Sequence, residues 1–79
     1  MEVRFFAGAA EAAGVDSLEI DASGRTADEV VAELSGGNER LAKVLGVSAL
    51  LADGTRINDR SADLSGVAAL DVLPPFAGG

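Results

Sequence analysis

Val3, Phe5 and Ala7 alternate with Glu2, Arg4 and Phe6, and that two-residue period predicts a strand at the start of the chain. Ala9 to Ala13 is alanine-rich and closed by Gly14, which reads as a short turn of helix. Ser17-Leu18-Glu19-Ile20-Asp21 alternates again and predicts a second, half-buried strand, with a turn through Asp21 to Arg25. From Thr26 the period lengthens. Thr26 and Glu29 fit a capping box, and Ala27, Val30, Val31 and Leu34 follow at helical spacing. This is the expected main helix, stopped by Gly36-Gly37. Asn38 is placed to cap a second, short helix that carries Leu41, Val44 and Leu45 on one face and ends at Gly46.

Asp53-Gly54 lies between Ser48–Ala52 and Thr55–Asn58, a two-residue hairpin signal. Residues 59–66 are polar and irregular, with Leu64 as the expected anchor to the core, and Ala69 to Leu73 is the closing strand. The order is strand, short helix, strand, main helix, short helix, hairpin, final strand. That pattern predicts an α+β fold, one sheet with its helical segments on one face. A sheet gripping one principal helix is the β-grasp arrangement of ubiquitin-like proteins. If Val3, Phe5, Leu18, Ile20, Leu70 and Val72 face the helix, Phe6 and Leu73 face away from it. Ile57, on the second strand of the hairpin, is expected to join them. Three large apolar groups on an uncovered sheet face would mark a partner-binding site.

Composition narrows the chemistry. Seventy-nine residues make one domain, with a body expected over 1–73 and an extended tail over 74–79. The core must come from about 22 Val, Leu, Ile and Phe side chains. Cysteine and histidine are both missing, which removes the thiolate nucleophile, the commonest general base and the commonest metal ligands. Asp28 and Glu29 sit in the first turn of a helix and favour its dipole rather than acid/base work. Gly36-Gly37 lacks the flanking strand and the Lys-Ser/Thr of a phosphate loop, and Asp53, Asp59 and Asp63 lack the spacing of a calcium loop. No metal site is expected. The net charge of −7 argues against nucleic acid and is compatible with a basic docking surface on a partner. No run approaches the roughly 18 apolar residues of a membrane span, and no signal-peptide pattern opens the sequence, so a cytoplasmic location is expected.

The ending Leu73-Pro74-Pro75-Phe76-Ala77-Gly78-Gly79 concentrates the remaining signal. Proline removes the amide donor and fixes φ, so Pro74-Pro75 should end the strand and send the tail off extended. From Pro74 to Gly79 such a tail reaches about 20 Å. Gly78 and Gly79 lack side chains and fit a slot too narrow for other residues, which makes the Gly79 carboxylate a candidate reactive group.

Val3-Arg4-Phe5-Phe6-Ala7, the early alanine-rich segment and the ending from Asp71 to Gly79 resemble the MoaD/ThiS sulfur-carrier family of β-grasp proteins, most closely its molybdopterin synthase small subunits. The resemblance covers essentially the full length and implies a chemistry. A ubiquitin-activating-type enzyme would use Mg-ATP to adenylate Gly79, and a sulfurtransferase would supply the sulfur that replaces AMP. The resulting thiocarboxylate would enter the large catalytic subunit of molybdopterin synthase and donate sulfur to cyclic pyranopterin monophosphate in molybdenum cofactor biosynthesis. By the same resemblance Gly78 gives clearance, Phe76 and Ala77 line the channel after Pro74 and Pro75, and Phe6, Ile57 and Leu73 match the subunit interface. No cofactor would be bound by this chain, and it would not be an enzyme on its own. The alternatives are a carrier for cysteine, thiamine or tRNA thiolation, or a ubiquitin-like protein modifier. One departure is visible: family members usually place Gly-Asp-Glu before the last strand, whereas Gly66 here is followed by Val67-Ala68-Ala69.

Overall fold

The computed structural model describes residues 1–75. Within them run β1 (Glu2–Phe5), α1 (Gly8–Ala13), β2 (Ser17–Glu19), α2 (Ala27–Ser35), α3 (Glu39–Val47), β3 (Ala49–Ala52), β4 (Thr55–Arg56) and β5 (Ala69–Leu73). The strands form one mixed sheet in the order β2-β1-β5-β3-β4. β5 lies at its centre, parallel to β1 and antiparallel to β3. This is the expected β-grasp architecture.

Strand parity builds the core. Val3 and Phe5 of β1 sit level with Leu70 and Val72 of β5, and Val72 with Leu50 of β3. All five side chains are buried, and Val30, Leu41 and Leu45 meet them from the helices. Each such burial stabilises the fold by about 1.5–3 kcal/mol. Leu64 is 1% exposed, so it anchors the irregular segment as its sequence implied.

The α2 N-terminus has no orphan donor. Thr26 and Glu29 close both halves of the capping box. The amides of Ala27 and Asp28 donate to the carbonyls of Ala62 and Arg60, and Val30 N–H donates to Thr26 O. The irregular segment is therefore a backbone cap for the helix. Within it, the Asp59 and Asp63 carboxylates accept from the backbone and hydroxyl of Ser61 and Ser65, respectively.

The second helix is longer than its sequence suggested. Gly46 lies inside α3, which has nine residues, as many as α2. The helix ends where Ser48 turns extended (φ −82°, ψ 149°) and its hydroxyl donates to Val44 O at 2.6 Å. Arg60 Nη2 donates to the carbonyls of Leu45 and Ser48 at 2.9 and 2.8 Å, satisfying acceptors that a helix end leaves open. No helix among the described residues is long and apolar enough to cross a membrane.

Candidate functional site: the tail exit and the open sheet face

β5 carries the chain through the middle of the sheet and releases it at Leu73. Pro74 follows half-buried and Pro75 exposed, and neither has an N–H to extend the ladder. Phe76, Ala77, Gly78 and Gly79 lie outside the described residues.

Next to this exit, no helix among the described residues covers the sheet face opposite α2 and α3. Register aligns Ser17, Arg4, Asp71, Leu51 and Arg56 in one row across all five strands. Arg4 grips Asp71 with two parallel bonds, Nε to Oδ1 at 2.5 Å and Nη2 to Oδ2 at 3.1 Å. The hydrogen bond to Asp71, and then its charge, raise the Arg4 pKa above its ordinary value. The pair locks polar groups flat between apolar ones. One row nearer the exit, Leu73 faces Ala49, and Phe6 follows Phe5 out of β1, donating its N–H to Val72 O at 3.2 Å.

Phe6 is 42% exposed. Its presentation depends on Ala7, whose φ of 49° is a conformation that favours glycine. There the chain breaks from β1 into α1, and Phe6 O accepts from Ala9 N–H. An open groove of about 470 Å³ runs beside Phe6, lined by Arg4, Ala7 and Ser17 among others.

Of the three apolar residues expected on this face, Phe6 and Leu73 are there and Ile57 is not. The hairpin pairs Ala52 with Thr55 and Leu51 with Arg56, so Ile57 falls opposite Leu50, and its N–H donates to Leu50 O at 2.8 Å. Leu50 is buried against the helices, and Ile57 packs against the core with it. Leu51 and Arg56 take the open-face positions that the sequence reading missed. Counting outward from Asp53-Gly54 would have found them, because a two-residue turn fixes the register.

Asp53 and Gly54 both have positive φ (47° and 85°), as a tight primed turn requires. The Asp53 carboxylate then accepts from Ala68 N–H and Ala69 N–H, at 2.9–3.1 Å. Ala68 and Ala69 thus offer their backbone amides to an acid from the hairpin. Among the described residues no group of three Asp or Glu side chains is placed to hold a metal ion.

Comparisons with known proteins agree with this geometry. No curated protein matches the sequence. Among solved structures, the HVO 2177 protein of Haloferax volcanii is 30% identical with a TM-score of 0.71, covering 99% of this chain and 84% of its own. SAMP1 from Haloferax volcanii is 25% identical with a TM-score of 0.75, covering 100% of this chain and 98% of its own. A second structure, of H. volcanii small archaeal modifier protein 1, shares the fold at 24% identity, with a TM-score of 0.62 and coverage of 96% and 97%. Residues 3–79 match the ThiS family, almost the whole sequence. With its mixed five-stranded sheet, open face and β5 exit, this chain belongs to the ThiS family of small ubiquitin-like carriers and modifiers.

Proposed function

We propose that the chain is the sulfur-carrying subunit of a molybdopterin synthase and that Gly79 bears the sulfur. The observation that carries this reading is a family match that runs on through residue 79, so that it includes the Gly78-Gly79 ending. β5 supports it by delivering that ending from the best-paired strand of the sheet.

The chemistry assigns little to this chain and much to its partners. A carboxylate is a poor electrophile until its oxygen leaves as part of a better leaving group. The Gly79 carboxylate attacks the α-phosphate of Mg-ATP on a ubiquitin-activating-type enzyme, pyrophosphate leaves, and an acyl adenylate forms. The persulfide sulfur of a sulfurtransferase then attacks the acyl carbon and AMP leaves. A thiol reduces the acyl disulfide so formed, the S–S bond breaks, and a thiocarboxylate, a competent nucleophile, is released. Phe6 and Leu73 dock on the large subunit, Pro74 to Gly78 thread its channel, and that subunit supplies the acid/base groups for sulfur transfer to cyclic pyranopterin monophosphate. The work takes place in the cytoplasm. The test is intact mass after incubation with the activating enzyme, ATP and a sulfur donor. A gain of about 16 Da, followed by its loss with substrate and large subunit, is expected. Thiocarboxylate that the large subunit does not consume overturns the pathway and leaves a carrier for cysteine, thiamine or tRNA thiolation.

The similarity to SAMP1 favours a second reading, a ubiquitin-like modifier. Here the same activated carboxyl passes to a lysine amine. Covalent conjugates that survive denaturing gels and need Gly79 are its signature.

A further inference from the structure

Among the described residues three large apolar side chains stand exposed, Phe6 at 42%, Val15 at 46% and Val47 at 66%. Scattered singly, such residues are ordinary on a protein surface. These three are not scattered. β1 runs parallel to β5, so it finishes at the end of the sheet where β5 releases the tail, and Phe6 follows it there. β2 is antiparallel to β1 and begins at that same end, where Asp16 O accepts from Phe5 N–H at 2.8 Å and Val15 comes just before. β3 is antiparallel to β5 and also begins there, with Ala49 level with Leu73 and Val47 two residues earlier. In the strand order β2-β1-β5-β3-β4, Val15 and Phe6 therefore stand on one flank of the exit and Val47 on the other. Hydrogen bonds hold the backbone beside each. Gly14 N–H donates to Ala10 O at 2.8 Å ahead of Val15, and Ser48 Oγ and Arg60 pin the carbonyls of Val44, Leu45 and Ser48 around Val47. Val47 lies about 200° round α3 from the buried Leu45, which turns it away from the core. Apolar groups fixed in advance lower the ordering cost of binding.

We propose that Val15 and Val47 complete, with Phe6, an apolar collar around the tail exit, and that the collar is covered by the enzyme that activates Gly79. The proposal rests on that activation, a step shared by the carrier and modifier readings. The length of the tail forces the contact. Four residues follow Pro75, and fully extended they span about 14 Å at most. An adenylating enzyme that holds the Gly79 carboxyl against the α-phosphate of ATP must bring its own surface up to the exit. Because β5 is central, that surface meets the chain on both flanks, over Val15 and Phe6 on one side and Val47 on the other. The collar fits a tail slot that opens through an apolar mouth.

Activation is followed as hydroxamate formed with the activating enzyme, Mg-ATP and hydroxylamine, which traps the adenylate. Val15→Ser and Val47→Ser combined in one chain should raise the KM for that chain more than about tenfold, with kcat within about twofold of wild type and an unchanged melting temperature. An unchanged KM, or a loss confined to kcat, overturns the collar and leaves the activation of Gly79 standing. A clear fall in melting temperature would place these valines in the core and overturns the collar as well. Absence of hydroxamate from wild type overturns activation and collar together. A second measurement uses the unaltered chain in complex with the activating enzyme. Saturating the enzyme's protons should attenuate the methyl signals of Val15 and Val47 and spare those of Val67, which precedes β5 at the opposite end of the sheet. Equal attenuation at Val67, or none at Val15 and Val47, overturns the proposal.

Discussion

The two faces of the sheet are made by the same strands, one residue out of phase, and they have opposite characters. On the covered face Val3, Phe5, Leu50, Leu70 and Val72 are each at most 4% exposed. On the open face an Arg4–Asp71 pair lies among Phe6, Leu51 and Leu73. The covered face holds the fold, and substitutions there should be felt as lost stability. The proposed function assigns the open face to contacts with a partner, and on that reading substitutions there should be felt as lost association. Central β5 serves both, through Leu70 and Val72 on one side and Asp71 and Leu73 on the other.

The largest expected effect is on the covered face. Leu70→Ala should cost about 2–5 kcal/mol, a large share of the stability of so small a domain, as measured by urea unfolding. A cost under about 1 kcal/mol would mean that β5 does not anchor the core. Thr26→Ala, which removes the α2 cap, should cost about 1 kcal/mol and lower the melting temperature by about 4–8 °C. Phe6→Asp sharpens the contrast. It should change stability by less than about 0.5 kcal/mol while weakening binding to the proposed large subunit more than about tenfold. A fall in melting temperature like that of Leu70→Ala would move Phe6 into the core and erase the distinction between the faces.

The smallest effect belongs to neither face. Hydrogen bonds from the backbone and side chain of Ser61 hold Asp59 below the ordinary carboxylate pKa, and those from the side chain and backbone of Ser65 do the same for Asp63. Backbone and side-chain bonds from Ser23 lower Asp21 likewise. Because the folded values lie under the unfolded ones, this contribution is complete above about pH 4 and is lost as pH falls through the lowered values. Thermal midpoints should therefore hold between pH 7 and 5 and decline below pH 4, with a shallower decline in Asp63→Asn. A decline already complete at pH 5 would contradict this origin.

Much of this was legible in the sequence because it is local. The Thr26–Glu29 box, the Gly14 stop and the Asp53-Gly54 turn each depend on residues a few places apart, and each formed as read. What failed was register and partnership at a distance. Ile57 was placed by strand membership alone, although its side of the sheet is set by pairing with Leu50. The end of α3 was read from Gly46, although Arg60, fourteen residues further on, is what receives that helix end. Residues 59–66 looked irregular because the Arg60 and Ala62 carbonyls serve the Asp28 and Ala27 amides of α2, far earlier in the chain. The Phe6 and Leu73 positions followed from parity, while the chemistry of Gly79 rests on family likeness and not on any described atom.

The central position of β5 has a mechanical consequence. A tail drawn into another protein pulls its strand along the strand's own axis. β5 is bonded on both edges, to β1 over Glu2–Phe5 and to β3 over Ala49–Ala52, so that load falls on two ladders in shear. Their bonds must give way together rather than one after another. The domain can thus act as a handle, taking tension at its tail without fraying at the grip.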